Sequence, residues 1–281
     1  MSRIGLVLEG GGMRGIYTAG VLDVMIEKGF HPDVICGTSA GVTFGVNLPS
    51  RQKGRVLRYN LACVGRRDYI SFHSLLTTGN IINVPFAYDK LPRQIDVFDN
   101  EAFNSSGTEF WATVTNTETG KAEYMQIRDC DAQMDVIRAS ASLPFLSRKV
   151  MIDGVPYLDG GIADNIPLEK CLELGCDRII LVLTHPADFV RTGSMVPLAR
   201  LFYPRDRRLI QAMAERSDRY NECLRKIARL RDEGKVIVIQ PQSPLRIGRL
   251  EKDRDKIRHT HALGVQDAEA LWDRIEAYLN A

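Results

Sequence analysis

Val34-Ile35-Cys36-Gly37-Thr38-Ser39-Ala40-Gly41-Val42 runs from an apolar segment directly into a serine flanked by glycines. Residues 34–36 read as a buried strand and residues 42–48 as a helix halted before Pro49, which puts Ser39 on the turn between them. A serine on such a turn projects its hydroxyl past the C-terminal edge of a sheet. The small residues Gly37 and Gly41 let the strained turn form, and the N-terminus of the following helix favours negative charge developing there. The letters Gly-x-Ser-x-Gly also occur in random loops, so reading Ser39 as a nucleophile rather than a structural turn residue rests on the strand-turn-helix placement.

Toward the N-terminus, residues 4–8 form another apolar strand, followed by Glu9-Gly10-Gly11-Gly12-Met13-Arg14-Gly15 and a helical stretch that stops at Gly29. Two strands joined through a helix favour parallel pairing in an α/β sheet. The glycine loop admits two chemistries. Backbone N–H groups over Gly10, Gly11, Gly12, Met13, Arg14 and Gly15 can converge on an oxyanion. Gly10-x-Gly12-x-x-Gly15 also fits the dinucleotide fingerprint, the mark of a nucleotide-binding oxidoreductase. That fingerprint calls for an acid at the end of the next strand to hold a ribose. Here the strand ends in Gly37-Thr38-Ser39, and its nearby acid, Asp33, stands at the wrong end. Arg14-Gly15-Ile16 stands where a P-loop needs Gly-Lys-Ser/Thr.

Toward the C-terminus, a helix over 56–64 precedes a loop-rich region placed to shape substrate access. Strand-like runs at 110–114 and 122–127 suggest a hairpin, and residues 135–142 a short helix. A second hairpin, 150–152 and 155–158 around Asp153-Gly154, delivers Asp159-Gly160-Gly161. Alone this triplet is ordinary turn chemistry; beside a serine and a glycine loop it supplies the base that an unactivated hydroxyl needs. A Ser-Asp-His triad is the competitor, in the order Ser39, Asp159, then His185, His259 or His261. It ranks lower because the serine follows only the second strand, and because residues 252–261 read as a solvated helix with exposed histidines. Farther on, the pattern predicts a helix at 167–174, a strand at 178–183, one long amphipathic helix at 205–231 with Leu209, Met213, Tyr220, Leu224 and Ile227 inward, a strand at 235–239 and a helix at 266–279 with Trp272 and Ile275 inward.

Composition sets the outer bounds. With 281 residues, 44% hydrophobic and 26% charged, the chain reads as an ordinary globular protein forming one compact body. Thirty-seven Lys and Arg against 35 Asp and Glu, a net charge of +2, lack the positive density that nucleic acid attracts. The six cysteines show no metal spacing and read as thiols of a reducing cytoplasm. No signal peptide and no 18-residue apolar run are visible. Arg200, Arg205, Arg207 and Arg208 beside Leu198, Leu201, Phe202 and Tyr203 read as a solvated loop entering a helix, with peripheral contact to a membrane of anionic lipid as the alternative.

An early glycine loop with a basic residue, then Gly37-x-Ser39-x-Gly41, then Asp159-Gly160-Gly161, together resemble the patatin-like phospholipase family, in its bacterial branch. The segments Arg138-Ala139-Ser140-Ala141-Ser142-Leu143-Pro144-Phe145 and 159–167 also look like family sequence. The resemblance implies a three-layer α/β/α fold with a mainly parallel sheet and a helical C-terminal extension. It implies a catalytic domain over 5–172, with 173–281 packed on it, completing the sheet and helices and carrying no motif. It further implies a hydrolase of lipid acyl esters with Ser39 as nucleophile, Asp159 as proton acceptor and the Gly10–Gly15 loop as oxyanion hole, needing no metal or other cofactor. Glu9 departs from the Asp common in the family but precedes the donors. A catalytically dead module with the same fold is disfavoured by the presence of both Ser39 and Asp159. Met13, Phe44, Leu143 and Phe145 are candidates to line an acyl channel, with core packing the equal alternative.

Overall fold

The computed structural model describes residues 2–281. In chain order its elements are β1 Ile4–Leu8, α1 Gly15–Glu27, β2 Val34–Thr38, α2 Ala40–Gly45, α3 Arg55–Cys63, α4 Phe72–Thr78, a π-helical segment Phe86–Ile95, α5 Asn100–Ser105, β3 Glu109–Asn116, β4 Ala122–Ile127, α6 Met134–Ser140, β5 Val150–Ile152, β6 Val155–Asp159, α7 Leu168–Glu173, β7 Arg178–Val182, α8 Val196–Phe202, α9 Arg207–Ala214, α10 Arg216–Asp232, β8 Val236–Ile239 and α11 Arg254–Asn280.

The sheet order is β5-β6-β3-β2-β1-β7-β8, with β4 on the other edge of β3. The run from β3 through β8 is parallel, and β4, β5 and β6 join antiparallel. Strand alternation makes three layers. Leu6 and Leu8 of β1 point into one core with Tyr17 and Val21 of α1 and Trp272 and Ile275 of α11. Val7 points into the opposite core with Leu168 of α7 and Tyr220 and Ile227 of α10. Each such fully buried side chain contributes about 1.5–3 kcal/mol. This is the three-layer α/β/α architecture implied above.

Two expectations change. The helix expected over 205–231 breaks at Glu215 into α9 and α10. Leu209, Ala212 and Met213 of α9 pack on Leu158 and Ile162, whereas Tyr220 and Ile227 of α10 pack on the central strands, and one straight helix could not reach both surfaces. The last helix begins at Arg254 rather than near 266, capped by the Asp253 carboxylate accepting from the N–H groups of Asp255 and Lys256. It therefore carries His259 and His261. His261 is half-buried rather than exposed, its Nε2 2.8 Å from Asp23 Oδ2 on α1.

One register detail positions the site. Strands β2 and β6 share an edge of β3 end to end: Thr38 pairs with Thr113, and Asp159 pairs with the next residue, Val114. The chain leaving β2 and the chain leaving β6 therefore meet head on.

Candidate active site

At that meeting point Ser39 takes φ 55°, ψ −116°, a conformation costly for a residue with a Cβ. It is held there by what surrounds it. A Cβ on Gly41 would run into the Leu8 carbonyl, so only glycine lets the start of α2 pass this close to β1. The Ser39 N–H donates to Ser140 Oγ at 2.9 Å, and Ser140 in turn donates to the Thr113 carbonyl at 2.7 Å. The Ser39 hydroxyl donates to Asp159 Oδ2 at 2.6 Å. The other carboxylate oxygen accepts from Gly161 N–H at 2.7 Å, which fixes its orientation, and the Asp159 N–H is tied to the Ser142 carbonyl at 2.8 Å. Both side chains are buried. Burial pushes the Asp159 carboxyl above its usual range, against the opposing pull of the Ser39 and Gly161 hydrogen bonds and of Arg216 and Arg249.

The glycine loop stands beside this pair. Asn165 clamps Gly10 from both sides: its carbonyl accepts the Gly10 N–H at 3.1 Å, and its amide donates to the Gly10 carbonyl at 3.0 Å. Glu9 is fully buried and accepts from Thr184 N–H at 2.6 Å, Tyr220 hydroxyl at 2.7 Å and Asn165 at 3.1 Å, locking the end of β1 to β7 and α10. Of the six residues expected to donate to an oxyanion, four are engaged within the protein. Gly10 donates to Asn165, Met13 to the Arg249 carbonyl, Arg14 to the Gly11 carbonyl, and Gly15 to the carbonyls of Gly12 and Met13. Among the described residues, the N–H groups of Gly11 and Gly12 have no protein acceptor.

An apolar cavity of about 140 Å³ opens on Ser39. Met13, Phe44 and Leu143 line it, with Tyr59, Leu91 and Leu250. Phe145 does not. It takes φ 68°, donates its N–H to the Tyr203 hydroxyl and packs on the rings of Phe202 and Tyr203. The stretch after residue 64, expected to be loop-rich, instead holds α4, the π-helical segment and α5, and together with α3 it supplies much of the wall.

Among the described residues no histidine hydrogen-bonds Ser39 or Asp159. His185 stacks on Phe189 at 3.7 Å between ring centroids, and burial followed by the neighbouring arginines pushes its pKa down to about 3. His259 is exposed, and His261 is paired with Asp23. Asp33, the acid weighed for a ribose, accepts from Ile4 N–H at 2.7 Å at the opposite end of the sheet.

Ser140, Asn165, Arg249 and Leu250 also border the site, and the sequence does not mark them for it. The first two lie in stretches with family character, but nothing in the letters says that Ser140 would hold the Ser39 backbone. Arg249 and Leu250 arrive from the loop after β8, more than 200 residues beyond Ser39, with no motif to announce them.

A family model described as patatin-like phospholipase matches residues 6–172 of this chain, and a second, described as a domain of unknown function, DUF6363, matches residues 206–280. The chain is 32% identical over 204 residues to the uncharacterized protein YjjU of Escherichia coli K12, covering 68% of this chain and 54% of that protein. It is 32% identical over 181 residues to lysophospholipase nte1 of Aspergillus niger, covering 64% of this chain and 12% of that protein. The chain thus spans about half of one curated relative and a small part of the other. Among solved structures, VipD from Legionella pneumophila superposes with a TM-score of 0.50 at 14% identity, over 98% of this chain and 67% of that one, a likeness of fold.

Proposed function

Since the chain belongs to the patatin-like phospholipase family, we propose that it is a lipid acyl hydrolase working through Ser39 and Asp159 alone. The observation that carries this reading is the 2.6 Å hydrogen bond from Ser39 Oγ to Asp159 Oδ2 at the end of two abutting strands. The hydroxyl attacks an ester carbonyl while Asp159 takes its proton. The developing oxyanion receives the N–H groups of Gly11 and Gly12, donors fixed before the reaction begins. Asp159 then protonates the departing alcohol, leaving an acyl group on Ser39. A water molecule, deprotonated by Asp159, attacks that acyl carbonyl and releases the fatty acid.

A carboxylate is a weak base for an alcohol, and burial is what makes this one stronger by raising its pKa. The apolar cavity beside Ser39 receives the acyl chain. The lysophospholipase among the relatives points to a phospholipid or lysophospholipid ester. The stretch expected as a solvated loop is helical over α8, and we propose peripheral membrane contact there, where Leu198, Leu201 and Phe202 are exposed near Arg200, Arg205, Arg207 and Arg208. No helix among the described residues is long and apolar enough to cross a membrane.

Labelling with a fluorophosphonate probe tests the reading. Wild type is expected to label at Ser39, Ser39→Ala not at all, and Asp159→Asn far more slowly. Equal labelling of wild type and Ser39→Ala would overturn it.

A further inference from the structure

Four arginines from four separate elements converge beside the Ser39 site: Arg14 from the glycine loop, Arg191 from the loop after β7, Arg216 from the start of α10 and Arg249 from the loop after β8. Arg216 donates to the Gly161 carbonyl beside Asp159, Arg191 lines one crevice with Arg216, and Arg249 lines the cavity at Ser39 while its carbonyl holds the Met13 N–H next to Arg14. Arg216, half-buried, is pushed down to about 9 by burial and then by Arg191 and Arg249, and Arg14 feels both of those as well. The location is the point where the sheet reverses. From β1 the chain proceeds outward through β2 to β3, and later returns on the other side through β7 to β8. In open α/β sheets a crevice forms outside the carboxyl ends of strands at such a reversal, and ligands bind there.

The acids facing the cluster are two, and both are occupied. Glu9 accepts from Thr184, Tyr220 and Asn165, and the nearest guanidinium, that of Arg191, is 4.0 Å away. Asp159 accepts from Ser39 and Gly161. Arg216 Nε donates to the Gly161 carbonyl at 2.6 Å, so it is partly satisfied. Nε of Arg14 and of Arg191 is buried without a hydrogen-bond partner, and the Arg191 guanidinium lies 3.7 Å over the Tyr220 ring. Stacking holds that plane while leaving its donor edge available. Burying like charges with donors unmet is costly unless an anion completes the set. The planar fork of arginine matches phosphate, bidentate and charge-assisted. Arg249 also lines the apolar cavity with Ser39, so an anionic group near it is within one small substrate's reach of the nucleophile.

We propose that Arg14, Arg191, Arg216 and Arg249 form a subsite for the phosphate of the ester substrate, bordering at Arg249 the apolar cavity that takes its acyl chain. This rests on the hydrolase reading above. Residues beyond 172 thereby select the head group, three of the four arginines coming from them.

The test compares monoacylglycerol phosphate with monoacylglycerol of the same short acyl chain, both below their micelle concentrations. Wild type is expected to favour the phosphate ester in kcat/KM, and Arg249→Gln and Arg191→Gln each to lower that ratio about tenfold or more, the loss of a charge-assisted hydrogen bond. Because the readout is a ratio, a general loss of activity does not mimic it, and circular dichroism identifies a variant that fails to fold. An unchanged ratio in folded variants, or no preference in wild type, overturns the proposal. A second arm titrates sn-glycerol 3-phosphate and inorganic phosphate calorimetrically. Glycerol phosphate is expected to bind wild type and not the Arg191→Gln/Arg249→Gln double variant. Inorganic phosphate binding as tightly as glycerol phosphate overturns the head-group assignment in favour of a free-phosphate site. If no ester is hydrolysed yet glycerol phosphate binding depends on the arginines, the hydrolase reading falls and the subsite stands.

Discussion

The turns that follow β1 and β2 begin from the same materials. Both end parallel strands that lie side by side, with Leu8 opposite Gly37, both are rich in glycine, and both lead into a helix. They present opposite things to the site. The first is long: it winds from Glu9 through a 3-10 turn at Gly12–Arg14, uses Gly12 at φ 57° to reverse direction, and offers backbone N–H groups. The second is a single residue, Ser39, which takes the positive φ itself and offers a side chain. On the proposed mechanism, the glycine at the positive-φ position leaves one turn open to a ligand's negative charge, and the serine at the other is the reagent. The strain of the serine turn, of order 1–3 kcal/mol, is borne by the close passage of Gly41 over Leu8 and by the Ser140 hydroxyl.

The largest effect is expected where the reagent is removed. Ser39→Ala should lower kcat by about 10⁶-fold, as loss of a nucleophile does elsewhere, and Asp159→Asn by about 10² to 10⁴, the range for a general base. Steady-state hydrolysis of a short-chain ester measures both, and a mild effect of Ser39→Ala would erase the distinction between the two turns. Next comes the donor turn. A Cβ on Gly12 meets the Arg249 carbonyl at 3.0 Å and sits at an unfavourable φ, so Gly12→Ala should displace the loop and lower kcat about 10²- to 10³-fold, with KM changed much less. Equal losses in kcat and acyl-chain binding would show that the turn shapes the cavity instead of holding charge.

A pH series separates chemistry from stability at the same residue. Asp159 must be ionised to accept the serine proton, so kcat/KM should rise on an acid limb displaced above the usual carboxylate range, and Asp159→Asn should abolish that limb. For stability the sign is reversed. The folded pKa is raised above the unfolded one, so the protonated group stabilises the fold at low pH, and this contribution is lost as pH rises through the folded value. Asp159→Asn should therefore melt higher than wild type at pH 7, by about 2–4 °C for each kcal/mol of relieved burial, with the difference narrowing toward pH 4. A variant that melts lower at pH 7 would show the ionised carboxylate to be net stabilising where it sits.

Both turns are legible in the sequence, because a strand, a glycine cluster and a helix follow one another within a dozen residues and each leaves a local pattern. Strand pairing of β3 with β4 and of β5 with β6 is legible for the same reason. What local pattern cannot carry is which distant segment closes over a turn. The Arg249 carbonyl that takes the Met13 N–H, reducing the set of donors left for an oxyanion, arrives through the packing of a loop some 240 residues away. The same limit explains the expected long helix that is two: Leu209 to Ile227 keep helical spacing across Glu215, and only the two surfaces they must reach impose the break.

The smallest effect on activity is expected from the histidines, and it sharpens the comparison by asking whether the serine turn needs a third member. His261 is the one that could mislead. It is an imidazole against a carboxylate, Nε2 to Asp23 Oδ2 at 2.8 Å, each side chain 13% exposed, the motif from which a triad is built. Its position argues otherwise, because Asp23 also accepts the Gly54 N–H at 2.7 Å, so the pair fastens α11 to α1 and to the entry of α3. Removing the ring leaves a part-buried carboxylate one donor short. His261→Ala should lower stability by about 1–3 kcal/mol, read as a lower midpoint in urea, while the rate of fluorophosphonate labelling of Ser39 below that midpoint stays within about twofold of wild type, the span of an effect carried by packing alone. His185→Ala and His259→Ala should leave that rate equally intact. A labelling rate that collapses in a folded histidine variant would return the triad to consideration and make Asp159 the orienting member instead of the base.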